Sequence, residues 1–412
     1  MNEYLVPSLL GRASLYGSNA HVPVSSRIVA TLTMHLREEL LEQVLVEAAG
    51  RFPYFSVKVA VADGDYVFSA SDAFDEKLLK VTMCDRTIWF DFHRSLADST
   101  GMMSFVKAVL FRYLEISGCK VTNDGSVKTL SSSSLAAEAQ DPMIRLEDKQ
   151  ASRPVWYMDA KAVKICGCTS DFQKVVQVRI PLSRIPREYD LMSKEPETFL
   201  IPLISHSVYE TYSGNVAAGE YVVASVQVDL RPYFPSPSLR PYHTPVYLAY
   251  NRNIGEYPYR TVQMSQKKLL EAQLKSDALV YSAQKQTAEL EKALSKSGLD
   301  ERKRDVEAMM AKASEKATYE VYRMGNVMMP DSMQRYVTEL YPVMPCGAYA
   351  CAVTLVAYRG EIFVTFAGGH ALRSMADRFV SLLEDNDIQA FVADEYTFVP
   401  LKSIELYDYG KD

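Results

Sequence analysis

The sequence has few of the features that mark secreted, membrane-spanning or nucleic-acid-binding proteins. Its 412 residues include six cysteines; neither Cys166 and Cys168 nor Cys346 and Cys351 have the spacing of a zinc site, so we expect reduced thiols. No apolar run approaches the roughly 20 residues of a membrane helix, and the amino-terminal MNEYLVPSLLGRASLYG lacks the basic start and apolar run of a signal peptide. Lys and Arg number 45 against 51 Asp and Glu, which does not favour nucleic acid. We therefore expect a cytoplasmic protein that binds neither nucleic acid nor membranes.

Several common catalytic motifs are missing as well. The sequence has no glycine-rich phosphate loop, no Gly-x-Ser-x-Gly elbow and no cluster of metal-ligating side chains. His21, His35 and His243 have no constellation of other chemical groups around them, and His206 in an apolar helix is interpreted as a core residue. The stretch that most resembles a catalytic motif is DFHRSLADSTG, residues 91–101.

The length of the chain predicts two domains or two halves rather than one core. Residues 119–153 are polar and serine-rich, and we interpret them as a linker that closes a first half, residues 1–165. Periodicity of the apolar residues within this half predicts a strand at 27–36, a helix at 37–53 and a strand at 87–93. It also predicts a helix at 100–118, with Met102, Phe105, Val109 and Tyr113 on one face.

The second half, residues 166–412, begins again with a predicted strand at 174–182 and a predicted helix at 196–214. Residues 262–317 are charge-rich and have helical periodicity that breaks at SKSGLD. This pattern predicts a helical hairpin that covers a sheet, with a partner-binding coiled coil as the alternative. The alternation of strands and helices in both halves indicates an α/β fold.

Four segments resemble the chloramphenicol-acetyltransferase-like superfamily, which includes alcohol O-acetyltransferases and the condensation domains of non-ribosomal peptide synthesis. The stretch at 91–101 resembles the His-His-x-x-x-Asp-Gly motif of that superfamily, although it is diverged. The later Asp-Phe-Gly-Trp-Gly motif of the family is absent. The other three similar segments are LREELLEQVLVEAAGRFPYFSVKV, VQVDLRPYFPSPSLR and RMGNVMMPDSM.

The resemblance implies two halves, each a mixed β-sheet with flanking helices, that form a V with a central tunnel. It implies that an acyl thioester and an alcohol or amine acceptor meet in the tunnel at the motif histidine, which acts as general base. Acetyl-CoA or another acyl thioester is then a cosubstrate, and no cofactor is permanently bound. The resemblance also implies that the motif aspartate, Asp98, is structural and pairs with an arginine, for which Arg231 is the first candidate.

One residue of spacing leaves the general base open. In the family motif the catalytic histidine lies four residues before the aspartate, and this count back from Asp98 reaches Arg94, which cannot accept a proton. His93 then falls on the first, non-catalytic histidine, and Ser99 stands in the glycine position. If one residue is instead inserted in the loop, His93 is the base.

These alternatives lead to three hypotheses for function. The first is an acyl-CoA-dependent or other acyl-thioester-dependent O- or N-acyltransferase, similar to alcohol acetyltransferases, with His93 as the candidate base. The second is a non-catalytic relative that keeps the fold to bind a ligand or partner, for which Arg94 and Ser99 are the motivation. The third is a condensation enzyme that depends on a carrier protein.

Overall fold

The computed structural model describes residues 5–18, 24–154, 161–165, 172–186, 199–217, 219–251, 253, 256–369 and 371–401. The strands are β1 Ser25–Leu32, β2 Val57–Ala62, β3 Asp65–Ala70, β4 Leu79–Cys84, β5 Thr87–His93, β6 Gln173–Pro181, β7 Val222–Asp229, β8 His243–Tyr250, β9 Tyr319–Asn326, β10 Val337–Val343, β11 Cys351–Tyr358, β12 Glu361–Gly368 and β13 Phe391–Phe398. The α-helices are α1 Leu9–Tyr16, α2 Glu38–Arg51, α3 Ser99–Ile116, α4 Leu200–Thr211, α5 Tyr259–Gln273, α6 Ser276–Leu294, α7 Leu299–Ser314, α8 Asp331–Gln334 and α9 Leu372–Glu384.

The described strands form two large sheets and one hairpin. The smaller sheet has the order β10-β1-β5-β4, and all of its pairs are antiparallel. The larger sheet has the order β13-β6-β12-β11-β9-β7-β8, and it is mixed because β9 runs parallel to both β11 and β7. The hairpin β2-β3 turns at Asp63 and Gly64, which both have positive φ, as a two-residue turn requires. The predicted α/β fold is confirmed.

Strand β10 joins parts of the chain that are far apart in sequence. It pairs with β1 from Arg27 opposite Val343 to Leu32 opposite Val337, so the smaller sheet needs a strand from late in the chain. The core of the smaller sheet also includes Tyr358 and Phe363 of the larger sheet. The two sheets are interleaved in sequence, since β10 of the smaller sheet lies between β9 and β11 of the larger one. The division into halves at residue 165 stays a prediction.

Helix α3 covers the smaller sheet with the face that the sequence predicted. Met102, Phe105, Val109 and Tyr113 are all buried to 0% exposure, and their spacing places them on one side of the helix. The helix ends before Gly118, whose φ of +83° lies in the left-handed region that favours glycine. This helix begins at the loop that carries the motif, so its packing fixes one end of that loop.

The charged region after residue 258 corrects the predicted hairpin, because it contains three helices, α5, α6 and α7. The break at SKSGLD is present between α6 and α7, but a further break at Leu274 and Lys275 separates α5 from α6. This second break contains no glycine or proline. Helix α6 instead restarts with Asp277 in its first turn, where the helix dipole favours an acidic side chain.

The polar segment 119–153 is held by a buried ionic cluster. Glu138 is 1% exposed and accepts hydrogen bonds from Arg51 Nη1 at 2.8 Å, from Lys128 Nζ at 2.6 Å and from the Tyr54 hydroxyl. Burial alone would raise the pKa of Glu138, but these donors lower it to about 2. A carboxylate buried with two cations fixes the segment against α2.

No helix in the described part of the chain is long and apolar enough to cross a membrane.

Candidate active site

A cavity of about 740 Å³ lies between the two large sheets. The smaller sheet contributes Ser26, Phe92 and Pro342 to its wall, while β7, β8 and β9 contribute side chains from the larger sheet. Helices α6 and α7 close another side with the residues around Tyr281 and Met310. A cavity of this size is in the range of small-molecule and cofactor sites.

Asp98 stands at the edge of this cavity and caps α3. Its Oδ1 accepts a hydrogen bond from Gly101 N at 2.8 Å, which satisfies one of the free amides of the first turn. A Cβ on Gly101 would lie 2.0 Å from the carbonyl oxygen of Leu239, so only glycine permits this close approach. The position that the family motif gives to glycine is Ser99, and Ser99 faces the cavity.

The second oxygen of Asp98 joins the loop to the larger sheet. Oδ2 accepts from Arg231 Nη1 at 2.9 Å and from the backbone N of Tyr242 at 2.8 Å. Arg231 Nη1 also lies 3.0 Å from Asp229 Oδ1. Burial would raise the pKa of Asp98, but the charge and the hydrogen bond of Arg231 lower it, so the carboxylate stays ionised. The structure thus brings Asp98 and Arg231 together.

His93 lies away from the cavity, packed at the end of β5. It is 1% exposed and is not among the described residues that line the cavity. Its Nδ1 lies 2.7 Å from Ser95 Oγ and accepts from the backbone N of Ser95 at 3.2 Å. Nε2 is buried without a hydrogen-bond partner in the described part of the structure. Burial, and then the charge of Arg94, lower the pKa of His93 to about 3.

Arg94 faces the cavity instead. Its guanidinium carbon lies 5.3 Å from the ring centroid of Tyr322, within the range of a cation–π contact. Burial would lower the pKa of Arg94, but Tyr322 and Glu320 raise it above the ordinary value. A permanent positive charge therefore occupies the position that the family motif gives to its catalytic histidine when the count runs back from Asp98.

A second histidine, which the sequence analysis left without a role, also lines the cavity. His243 begins β8, directly after the residue whose backbone Asp98 holds. Its Nδ1 lies 3.2 Å from Gln227 Oε1, and Gln227 Nε2 lies 3.2 Å from Glu320 Oε1. Burial, and then the charge of Arg94, lower the pKa of His243 to about 4.

The sequence contains one signal for His243, the alternation in HTPVYLAY. Thr244, Val246 and Leu248 are buried, whereas His243, Pro245 and Tyr247 on the opposite face are only partly buried. The half-buried face is the cavity face. This alternation by itself indicates only a half-buried strand. It does not reveal that β7 and β8 form the end of the larger sheet beside the motif loop.

The remaining histidines and cysteines form no site in the part of the chain that the structure describes. His35 contacts Asp85 at 2.5 Å on the surface, and His206 contacts Glu210 at 3.2 Å on α4. Among the described residues no group of three His, Cys, Asp or Glu could hold a metal ion. The four described cysteines form no disulfide, and the sequence-predicted features at His21, Cys166 and Cys168 lie outside the described residues.

Comparison with protein-family models finds no match, and comparison with curated proteins finds none. Comparison with solved structures finds F. sporotrichioides TRI101 complexed with coenzyme A and T-2, at a TM-score of 0.62 and 10% identity over 95% of this chain and 99% of that one. The first condensation domain of the CDA synthetase has a TM-score of 0.62 and 14% identity over 93% and 96% of the two chains. Polyketide synthase associated protein 5 from Mycobacterium tuberculosis has a TM-score of 0.60 and 11% identity over 94% and 97%.

These similarities extend over nearly the whole length of both chains. Because the sequence identities are low, the similarities show the fold alone. The chain has the chloramphenicol-acetyltransferase-like fold that its sequence predicts.

Proposed function

We propose that the protein is an acyltransferase that moves an acyl group from a thioester to an alcohol or amine inside the cavity between its sheets. The observation that carries this proposal is the position of the cavity, beside the loop that Asp98 and Arg231 anchor. TRI101, which has the same fold, is complexed with coenzyme A and T-2, and this supports a thioester and an acceptor as the two ligands. Coenzyme A or a carrier protein would present the thioester.

Asp98 and Arg231 have a structural role in this proposal. Oδ2 of Asp98 binds both Arg231 and the backbone of Tyr242, so the carboxylate ties the motif loop to the larger sheet. Removing one partner of such a buried pair typically costs about 3–5 kcal/mol, because the other charge is left without compensation. Neither group reaches the reacting atoms in this proposal.

His93 is not the base in the proposed mechanism. The ring is 1% exposed and outside the cavity wall, and its Nδ1 is occupied by Ser95, so neither nitrogen reaches a ligand in the cavity. Arg94 cannot replace it, because a guanidinium remains protonated. The proposal therefore requires that another group accept the proton of the alcohol or amine.

A non-catalytic binding protein is the second candidate, and Arg94 is the observation that favours it. A guanidinium in the wall of the cavity could hold a carboxylate, phosphate or carbonyl oxygen of a ligand without any reaction. On this hypothesis the fold is kept for binding alone.

Release of free thiol separates the two candidates. The purified protein is incubated with acetyl-CoA, longer acyl-CoAs or an acylated carrier protein, and with a panel of alcohols and amines, while free thiol is followed. We expect acceptor-dependent thiol release that Ser99→Phe abolishes, because Ser99 lies in the cavity wall. Ser104→Phe is the matched control, since Ser104 is on the same helix and outside that wall. No release above background with any donor, together with a rise in melting temperature on adding acyl-CoA, would favour the binding protein.

A further inference from the structure

The proposed function needs a group that accepts the proton of the alcohol or amine, and the following proposal rests on that function. We propose that His243 is the general base of the cavity and that Gln227 and Glu320 position it. His243 lines the cavity together with Arg94, Asp98 and Ser99, whereas His93 does not. The base would therefore reach the cavity from β8 of the larger sheet rather than from the motif at the end of β5.

The anchoring of Asp98 places His243 beside the motif loop. Asp98 Oδ2 accepts from the backbone N of Tyr242, the residue directly before His243, at 2.8 Å. Across the hairpin, His243 is opposite Asp229, which pairs with Arg231 at 3.0 Å. The carboxylate that caps α3 thus also fixes the start of β8, so that loop and imidazole keep one relative position.

The hydrogen-bond chain determines which nitrogen of His243 carries the proton. Glu320 accepts from the Tyr322 hydroxyl at 2.7 Å and from Gln227 Nε2 at 3.2 Å. The amide nitrogen of Gln227 therefore faces Glu320 and Ser225, and its oxygen faces His243. An amide oxygen accepts hydrogen bonds, so Nδ1 of His243 is the protonated nitrogen and Nε2 keeps the lone pair.

Nε2 of His243 has no hydrogen-bond partner among the described residues, and it is not fully buried. Nε2 of His93, by contrast, is fully buried. The two rings thus differ in access, because His243 lines the cavity and His93 does not. A base needs a lone pair that faces the substrate and a second nitrogen that is fixed by an acceptor, and His243 has both.

The reaction balances with His243 as base. Nε2 takes the proton from the acceptor O–H or N–H while the oxygen or nitrogen forms a bond to the thioester carbonyl carbon. The tetrahedral intermediate then collapses, the C–S bond breaks and the sulfur leaves with the electron pair. The imidazolium returns its proton to the sulfur, so that a free thiol and an ester or amide are the products and His243 is neutral again.

Arg94, Asp98 and Arg231 are the charged groups that act on His243. Asp229, Lys285 and Glu320 line the same cavity, and burial raises the pKa values of Asp229 and Glu320. Burial has the largest effect on its pKa, the charges of Arg94 and Arg231 also lower it, and Asp98 opposes them, with about 4 as the result. The ring is therefore neutral at pH 7, and activity should be lost only as the pH falls through the region around 4.

The test compares kcat and KM for thiol release in four proteins over pH 3–9, a range that includes the acidic limb expected around pH 4. His243→Gln should lower kcat by about 10²–10⁴-fold and remove the acidic limb of its pH profile. His206→Gln, on α4 outside the cavity wall, should leave both unchanged. Gln227→Leu should lower kcat less and move the acidic limb, which a loss of packing alone would not do.

Three results would overturn the inference, and they are distinguishable. If His243→Gln turns over at the wild-type rate, His243 is not the general base, and the proposed function is unaffected. Absence of thiol release by the wild-type protein would contradict both the role of His243 and the proposed function. A measurement that does not need activity is the ¹⁵N NMR spectrum of histidine-labelled protein, in which His243 assigned by its substitution should be in the Nδ1–H tautomer. The Nε2–H tautomer would contradict the hydrogen-bond chain from Glu320.

Discussion

The pKa values of His93 and Asp98 are both lowered by the folded structure, but with opposite meanings. For Asp98 the lowered pKa favours the charged form, because burial is opposed by Arg231. For His93 the lowered pKa favours the neutral form, because burial excludes the charge and Arg94 repels it. Two residues of one short motif are thus held in fixed protonation states around neutral pH, and neither exchanges protons there.

The neutral state of His93 makes the free energy of unfolding depend on pH. The unfolded chain binds the proton near pH 6.5 and the folded chain only near pH 3, so stability present above pH 6.5 is lost as the pH falls toward 3. One such group contributes a slope of about 1.4 kcal/mol per pH unit in this window, which is about 2 kcal/mol between pH 6.5 and pH 5.

His93→Asn should make this slope shallower, because asparagine can still accept from the Ser95 amide but does not titrate. Urea denaturation of the wild-type and variant proteins between pH 4.5 and 7.5 measures the difference. His35→Asn is the control, since the His35 side chain is 73% exposed. Curves for wild type and His93→Asn that run parallel would mean that folding leaves the pKa of His93 unchanged, which would contradict its burial as a neutral ring.

The start of α3 depends on a glycine two positions beyond the one in the family motif. Gly101→Ala would place a Cβ 2.0 Å from the carbonyl oxygen of Leu239, so backbone must move. We expect a loss of about 1–3 kcal/mol in the free energy of unfolding, as for other overpacked sites. Gly50→Ala on α2 is the matched control, since nothing lies within 4 Å of a Cβ there and alanine favours a helix by about 0.5–1 kcal/mol. Equal melting temperatures for Gly101→Ala and wild type would contradict the close approach.

Strands and helices with strong periodicity could be predicted from the sequence, and those set by long-range pairing could not. The strand at 87–93 was predicted with the bounds that β5 has, and the predicted face of α3 is buried, because alternation and 3.6-residue spacing are local signals. The break between α5 and α6 was missed because neither Leu274 nor Lys275 is a helix breaker.

The residues of the candidate site also fall into two groups, those that local sequence signals indicate and those that long-range pairing brings together. The eleven residues 91–101 were enough to locate the loop, and the family resemblance implied an arginine partner for Asp98, for which Arg231 was the first candidate; in the structure the two are 2.9 Å apart. The place of His243 depends on β8 lying at the edge of the larger sheet and on a hydrogen bond to Gln227, which comes 16 residues earlier in the sequence. Neither fact follows from the spacing of residues in one chain, so His243 was left without a role.

Each of the two sheets contains strands from distant parts of the chain. Strand β10 completes the smaller sheet, and Val337, Leu340 and Val343 are buried there to 0% exposure. Removal of this strand would leave β1 as an edge with free backbone groups and would remove three core side chains. Such an edge favours association with other chains.

A fragment of residues 1–165 should therefore not fold as an independent unit. It contains β1 to β5 but lacks β10, so we expect no cooperative transition in urea denaturation followed by far-UV circular dichroism, and self-association in size-exclusion chromatography. The control is the same fragment with residues 336–344 attached through a flexible Gly/Ser linker, which should regain a cooperative transition because β1 then has its antiparallel partner. A monomeric fragment that unfolds cooperatively without β10 would instead make the boundary at 165 a true domain boundary, with the pairing of β1 and β10 as a contact between two independently stable units.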